Sequence, residues 1–296
     1  MSGFAFKNVR RLAAAIVGIV MWSADSATFA QEGGIVPQAA ALSDPAQKAV
    51  EAPWLKDEER AALRVFHGVW DDRDLISPRL RAEAALQTYA LDDEVFADPQ
   101  TPAELRAEAA LLRGDLEQAI ALTKDLTSNE ARRIEAEAYE SLGKLDDAKA
   151  ACKTVMQQML KGKQSDAESL TQGVRTMFVN ARLEGQPGRD FQTMLDLLGR
   201  ATQEMDRLYW PAKVAEAELL FDKDHDEEAI GAAHEALSLD PRCSKAWYML
   251  GKAALDRFDF DGALRAITAL HRLNPVHPLA DILQAESRLV QDDPEG

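Results

Sequence analysis

The amino-acid sequence predicts an all-α chain: a right-handed α-solenoid of stacked helix-turn-helix repeats, irregular and contracted at its N-terminal end. Three observations predict it. Apolar residues recur at i, i+3, i+4 and i+7 along most of the chain, which gives each segment the buried stripe of an amphipathic helix. No Val/Ile/Thr alternation of useful length appears, so strands are not expected. The chain also repeats itself at one fixed offset, pairing Ala217 with Gly251, Leu220 with Ala254, Ala229 with Ala263 and Pro241 with Pro275. A single helical pair cannot bury its stripes, so neighbouring pairs must stack.

The clearest unit runs from Ser244 to Pro275. Trp247, Leu250, Ala254 and Leu255 form the stripe of its first helix, and Leu264, Ile267, Leu270 and Leu273 that of its second. Gly251 and Ala263 are small because the two helices must approach closely there. Asn274-Pro275 stops the second helix, since proline disfavours a helical residue before it and has no N–H to continue the ladder. Trp247-x2-Leu250-Gly251-x2-Ala254, Ala263-x3-Ile267 and Pro275 closely resemble the tetratricopeptide (TPR) pattern W-x2-L-G-x2-Y, A-x3-F, P over 34 residues. Ala254 and Ile267 depart from it and keep an apolar side chain. The resemblance is specific over residues 210–276 and degenerate elsewhere.

From the start of the chain, Lys7, Arg10 and Arg11 precede an uncharged, mostly apolar run from Leu12 to Trp22, and Thr28-Phe29-Ala30 offers a small-residue cleavage site. This is the layout of a secretory signal peptide over residues 1–30. The run falls short of the about 20 residues a spanning helix needs. Residues 31–53 carry Gly33-Gly34 and three prolines and are expected to be a flexible linker with one short helix around Pro45 to Glu51. The solenoid is expected over residues 54–291. RAEAAL occurs at Arg81 to Leu86 and again at Arg106 to Leu111. Between such segments, Trp70-Asp71-Asp72 to Ile76 and Leu91-Asp92-Asp93 to Ala97 take the place of shortened second helices, so residues 54–100 form contracted units. Units follow at 101–127, turning at Arg113-Gly114-Asp115, and at 129–160, turning at Gly143. A degenerate pair at 165–207 is split by Gly185-Gln186-Pro187-Gly188. The best-matched units are 210–241 and 244–276, and a capping helix at 278–291 closes the array. In that cap Leu279, Ile282, Leu283 and Leu289 are expected to face inward, with Asp281, Gln284, Arg288 and Gln291 outward.

The chain has 34 Lys+Arg against 50 Asp+Glu, a net charge of −16. That excess is repelled by phosphate backbones and argues against nucleic-acid binding. Cys152 and Cys243 lie in units separated by a whole helical pair, too far for a disulfide. Cys152 is expected in the core and Cys243 as a free thiol at a turn. No H-E-x-x-H, G-x-S-x-G, P-loop or C-x2-C spacing occurs, so no catalytic residue, metal site or cofactor is predicted. Asp222-x-Asp224-x-Asp226 begins like a calcium loop, but Glu227 and Ala233 stand where such a loop needs Gly and Glu. His271 and His277 flank a proline turn, a capping position.

The resemblance implies a non-catalytic scaffold for a protein or peptide partner. In TPR proteins the first helices of successive units line a concave groove. Here that places Lys245, Tyr248, Lys252 and Leu255 on its wall, with Val214, Glu218 and Phe221 from the preceding unit and Arg133 and Glu137 from an earlier pair. Val214 and Glu218 beside Lys245 and Lys252 leave the carboxylate clamp of some TPR domains incomplete, which disfavours a chaperone-tail receptor. With the leader, the expectation is an exported, periplasmic or otherwise extracytoplasmic scaffold in a bacterial cell envelope, without a membrane span after cleavage. The rival expectation is a targeting or regulatory module of an exported peptidase.

Overall fold

The computed structural model describes residues 34–162, 164–186 and 188–291, so the expected leader lies outside the described residues. Among these, the regular structure is helical throughout. Five helix pairs follow one another: α4 (Ala103–Arg113) with α5 (Leu116–Thr123), α6 (Asn129–Ser141) with α7 (Leu145–Leu160), α8 (Ala167–Leu183) with α9 (Phe191–Arg200), α10 (Trp210–Phe221) with α11 (Asp226–Leu239), and α12 (Ser244–Asp256) with α13 (Phe260–Leu273). α14 (Pro278–Val290) closes the series. Each first helix packs on its own partner and on the next first helix, and each second helix packs on the first helix that follows. That is the stacking an α-solenoid requires. No helix among the described residues is long and apolar enough to cross a membrane.

The turns within pairs fall where the sequence places them. Gly114 and Gly143 adopt left-handed backbone, φ 82° and 71°, which a side chain would strain. The degenerate segment is also a helix pair, its second helix continued by a π-turn at Ala201–Met205. In the best unit Trp247, Leu250, Ala254 and Leu255 are all buried. A Cβ on Gly251 would lie 2.6 Å from Leu283 Cδ1 and 2.9 Å from Ala266 Cβ, so only glycine permits this approach of α12 to α13 and α14. Leu264 corrects the predicted stripe: it is 60% exposed. The buried face of α13 is Ala263, Ala266, Ile267 and Leu270, and Leu264 sits about 100° around the helix from Ala263. The same error affects the cap, where Leu283 and Ala280 are buried but Ile282 and Leu289 are 45% and 68% exposed.

The contracted units have a concrete form. α2 (Asp57–Phe66) and α3 (Pro78–Gln87) are each followed by a 3-10 turn, Asp72–Asp74 and Glu94–Ala97, in place of a second helix. Aspartates make such short elements possible by supplying the acceptors that a longer ladder would provide. Asp71 Oδ1 accepts from Arg73 N at 2.9 Å, while Asp74 Oδ2 accepts from Asp71 N at 2.9 Å and from Arg64 Nε at 2.8 Å. In the second turn Asp93 Oδ1 accepts from Val95 N at 2.8 Å.

These units do not simply extend the array. The N-terminal strip lies along the inter-unit turns of the C-terminal half. Ser43 N donates to Ser238 O at 2.7 Å, Trp210 Nε1 to Phe66 O at 2.7 Å, Ser244 Oγ to Gln87 O at 2.6 Å, and Asn274 Nδ2 to Tyr89 O at 3.0 Å. His67 Nδ1 lies 2.8 Å from Leu239 O; a carbonyl only accepts, so this nitrogen carries the proton. The segment read as a linker belongs to the same seam. Its helix α1 (Asp44–Val50) matches the predicted one, but Ala46, Ala49 and Val50 pack with Leu63, Leu208 and Leu239. Val36 is fully buried in the core of α10–α13, and its carbonyl accepts from Arg265 Nε at 3.1 Å. An Ile-Val pair between glycines and proline has no periodicity to reveal that it packs.

Candidate functional site: a charged row on the inner helices

Successive first helices present one face to a common surface, and a row of ionic side chains crosses it. On α6, Arg133 Nε donates to Gln172 Oε1 of α8 at 2.8 Å and Nη1 to Glu137 Oε2 at 2.9 Å, and Nη2 bonds Glu108 of α4. Arg133 is buried. Its desolvation opposes the charge, but Glu108 and Glu137 outweigh that cost and hold the guanidinium firmly protonated. On α8, Arg175 Nη2 donates to Glu218 Oε2 of α10 at 3.1 Å, and Lys245 Nζ of α12 donates to Glu218 Oε1 at 2.9 Å. Burial pushes the Glu218 carboxyl up, yet Arg175 and Lys245 prevail and hold it at about 2. One further pair, Lys252 Nζ to Glu286 Oε1 at 3.1 Å, carries the row onto α14.

A cavity of about 350 Å³ opens among these groups. Its charged wall is Glu137, Arg175, Glu218, Lys245 and Arg182, and Phe178 supplies an aromatic face. The Arg182 guanidinium lies 4.8 Å from the Phe178 ring centre, a cation–π distance. A site of mixed charge with an aromatic face and an apolar floor can hold an extended polar chain through hydrogen bonds and seat one apolar side chain.

The structure brings together four of the predicted groove residues, Arg133, Glu137, Glu218 and Lys245. Tyr248 and Lys252 lie farther along α12, and Phe221 packs partly against the core. Val214 and Leu255 are corrections: both are buried in the core of α10–α13, because the helical face next to the groove turns inward at those positions. Sequence reasoning missed Glu108 and the whole α8 contribution. α8 belongs to the pair without TPR signature residues, so no register could be transferred to it. Arg175, Phe178 and Arg182 recur at i, i+3 and i+7, and that spacing alone would have placed them on one face.

A second polar constellation lies at the seam. His277 Nε2 is 2.9 Å from Ser244 Oγ, and both residues are buried. Ser244 gives its proton to the Gln87 carbonyl, and His277 Nδ1 accepts from Leu279 N at 3.3 Å. Nε2 therefore carries the imidazole proton and donates to the serine. A nucleophilic serine needs the opposite arrangement, so this pair is structural. His277 caps α14 as the sequence suggests, and Tyr89 of the strip stacks on its ring at 5.1 Å. Cys152 and Cys243 are both free and buried. Cys243 immediately precedes α12, beneath the strip rather than open at a turn, and burial pushes its thiol up. Among the described residues no group of three or more His, Cys, Asp or Glu is arranged to hold a metal. Asp226 starts α11, where an acidic first turn suits the helix dipole.

No family model matches the chain, and no curated protein matches it. Among solved structures it is similar to YrrB, described as a TPR protein with an unusual peptide-binding site. That likeness is 17% identical, covers 68% of this chain and 98% of YrrB, and has a TM-score of 0.37.

Proposed function

We propose that the chain is a non-catalytic interaction scaffold, exported to a bacterial cell envelope, that holds a protein or peptide segment against its inner helices. One observation carries this reading: six inner helices contribute to a single row of ionic groups, and the row opens into a cavity of about 350 Å³ beside Phe178. Most of these charges are paired with one another, which fixes their positions before a partner arrives and lowers the ordering cost of binding. The export part of the proposal rests on the basic, apolar and small-residue layout of residues 1–30.

The reading is tested by capture from a bacterial envelope fraction. Lys245→Glu combined with Arg182→Glu reverses two cations at the cavity while leaving the buried core intact. Loss of the captured partner with unchanged helical circular dichroism supports the groove, whereas undiminished capture removes it. Amino-terminal sequencing of the envelope protein tests export independently, with Gln31 expected first and Met1 contradicting it. A second reading, a targeting or regulatory module for an exported peptidase, is favoured by the exposed apolar Ile282 and Leu289 on α14, which a docked domain would cover.

A further inference from the structure

On the outer face, away from the charged row, α7, α8 and the start of α9 line a second cavity of about 350 Å³. Met194 forms a fully buried floor, Met156 and Met177 are half-buried walls, and Leu160 stands at the lip, 86% exposed. Methionine walls adapt to apolar side chains of differing shape. The rims carry different charge. On one side Glu184 pairs with Arg189 at 2.9 Å and Asp190 approaches Arg189 at 3.5 Å, so one cation offsets one of two carboxylates and that side stays acidic. On the other, Lys149 and Lys153 stand one turn apart on exposed positions of α7 and form no ion pair among the described residues. In a chain of net charge −16, an unneutralised basic rim beside an exposed apolar trough is a local inversion of the surface.

From this juxtaposition we infer that the α7–α8–α9 trough is a second docking surface, which takes an acidic amphipathic helix through an aliphatic anchor in the methionine trough and carboxylates on Lys149 and Lys153. The trough suits a helix better than a small molecule because its lip, Leu160, is exposed and the two lysines follow helical spacing. A partner helix with carboxylates at i and i+4 would match them. This surface does not depend on the inner groove. A scaffold with both could hold two segments at once, which raises avidity without new contacts at either.

The test uses the full chain and two labelled helical peptides. Both carry leucines at i and i+4; one is flanked by glutamates, the other by lysines. Fluorescence anisotropy is expected to show binding of the acidic peptide only. Lys149→Glu with Lys153→Glu should weaken it by about tenfold or more and give measurable binding of the basic peptide instead. Leu160→Ser should weaken the acidic peptide without reversing the preference. These positions are exposed, so circular dichroism should not change. The inference is overturned if neither peptide binds, if both bind alike, or if charge reversal leaves the preference unchanged. It is equally overturned if Lys245→Glu in the inner groove abolishes acidic-peptide binding, since the peptide would then sit there.

Discussion

The contracted units at residues 57–97 and the full units at 210–276 bury their helices by different means. In the full units the second helix covers the first. Ala263, Ala266, Ile267 and Leu270 of α13 close over Trp247, Leu250 and Ala254 of α12. In the contracted units a 3-10 turn held by aspartates replaces that helix, and the missing cover comes from elsewhere in the chain. Phe66 packs with Tyr209 and Trp210 at ring separations of 5.9 Å and 5.8 Å, and the Arg242 guanidinium lies 4.1 Å from the Trp70 ring centre. A contracted repeat is therefore not self-sufficient with its neighbours. It survives by borrowing the inter-unit turns of the full units, and the solenoid folds back on itself to supply them.

The largest expected effect breaks the side of the comparison that both regions depend on. Leu250→Ala leaves a cavity between α12 and α13 and should cost about 2–5 kcal/mol in urea unfolding. Removing it should destabilise the strip as well, because the strip rests on α12 through Ser244. Trp210→Phe, which deletes the indole donor at 2.7 Å from Phe66 O and leaves Gln87 Nε2 as its other donor at 3.2 Å, should cost about 0.5–1.5 kcal/mol.

A second prediction sharpens the comparison through two buried groups at the seam. Asp240 is fully buried against Gly68, and its Oδ2 has no hydrogen-bond partner. Burial pushes its carboxyl up to about 8, despite the opposing hydrogen bond from Arg242 N and the Arg242 charge. A carboxyl raised in the fold loses stability as pH rises from the ordinary 3.8 to about 8. His277 is pushed down to about 4, mainly by burial, with His271 adding to the shift and Asp281 opposing it. Its contribution is complete above 6.5 and is lost as pH falls towards 4. The two slopes oppose each other over their shared window. Relative to the parent chain, Asp240→Asn should gain stability increasingly as pH rises to 8. His277→Asn should show its largest deficit above pH 6.5 and a shrinking one below it. Thermal melts across pH 4 to 8 check both, and parallel curves for parent and variants would contradict the assignment.

The full units were legible in the sequence because close helix approach demands small residues at fixed spacing. Gly251, Ala217, Ala229 and Ala263 carry that signal directly. The contracted units were legible through RAEAAL and through the W-D-D turn, whose Asp71 caps the 3-10 element. The fold-back was not. It is made largely of side-chain hydrogen bonds to main-chain carbonyls and of residues such as Val36 and Gly68, whose partners lie far along the chain and leave no local period. Half of the charged row was legible for the same reason as the full units, and the α8 half was hidden by its lost register. Leu264, Ile282 and Leu289 show a different limit: apolar residues at near-helical spacing can lie just outside the buried arc.

The smallest expected effect lies at the end of the row. Lys252 and Glu286 keep 39% and 33% of their side chains exposed, so Lys252→Ala should change stability by no more than about 1 kcal/mol. A larger loss would mean that α14 depends on this pair more than on Leu283 and Ala280.

Native-state hydrogen exchange tests the fold-back most directly. If the strip is sealed onto the full units, the amides of α2 and α3 should be protected to the same degree as those of α11 and α12, and all should open together as denaturant is added. An array whose repeats touch only their neighbours would behave otherwise. Rapid exchange in α2 and α3 while α10–α13 stay fully protected would contradict the closed solenoid.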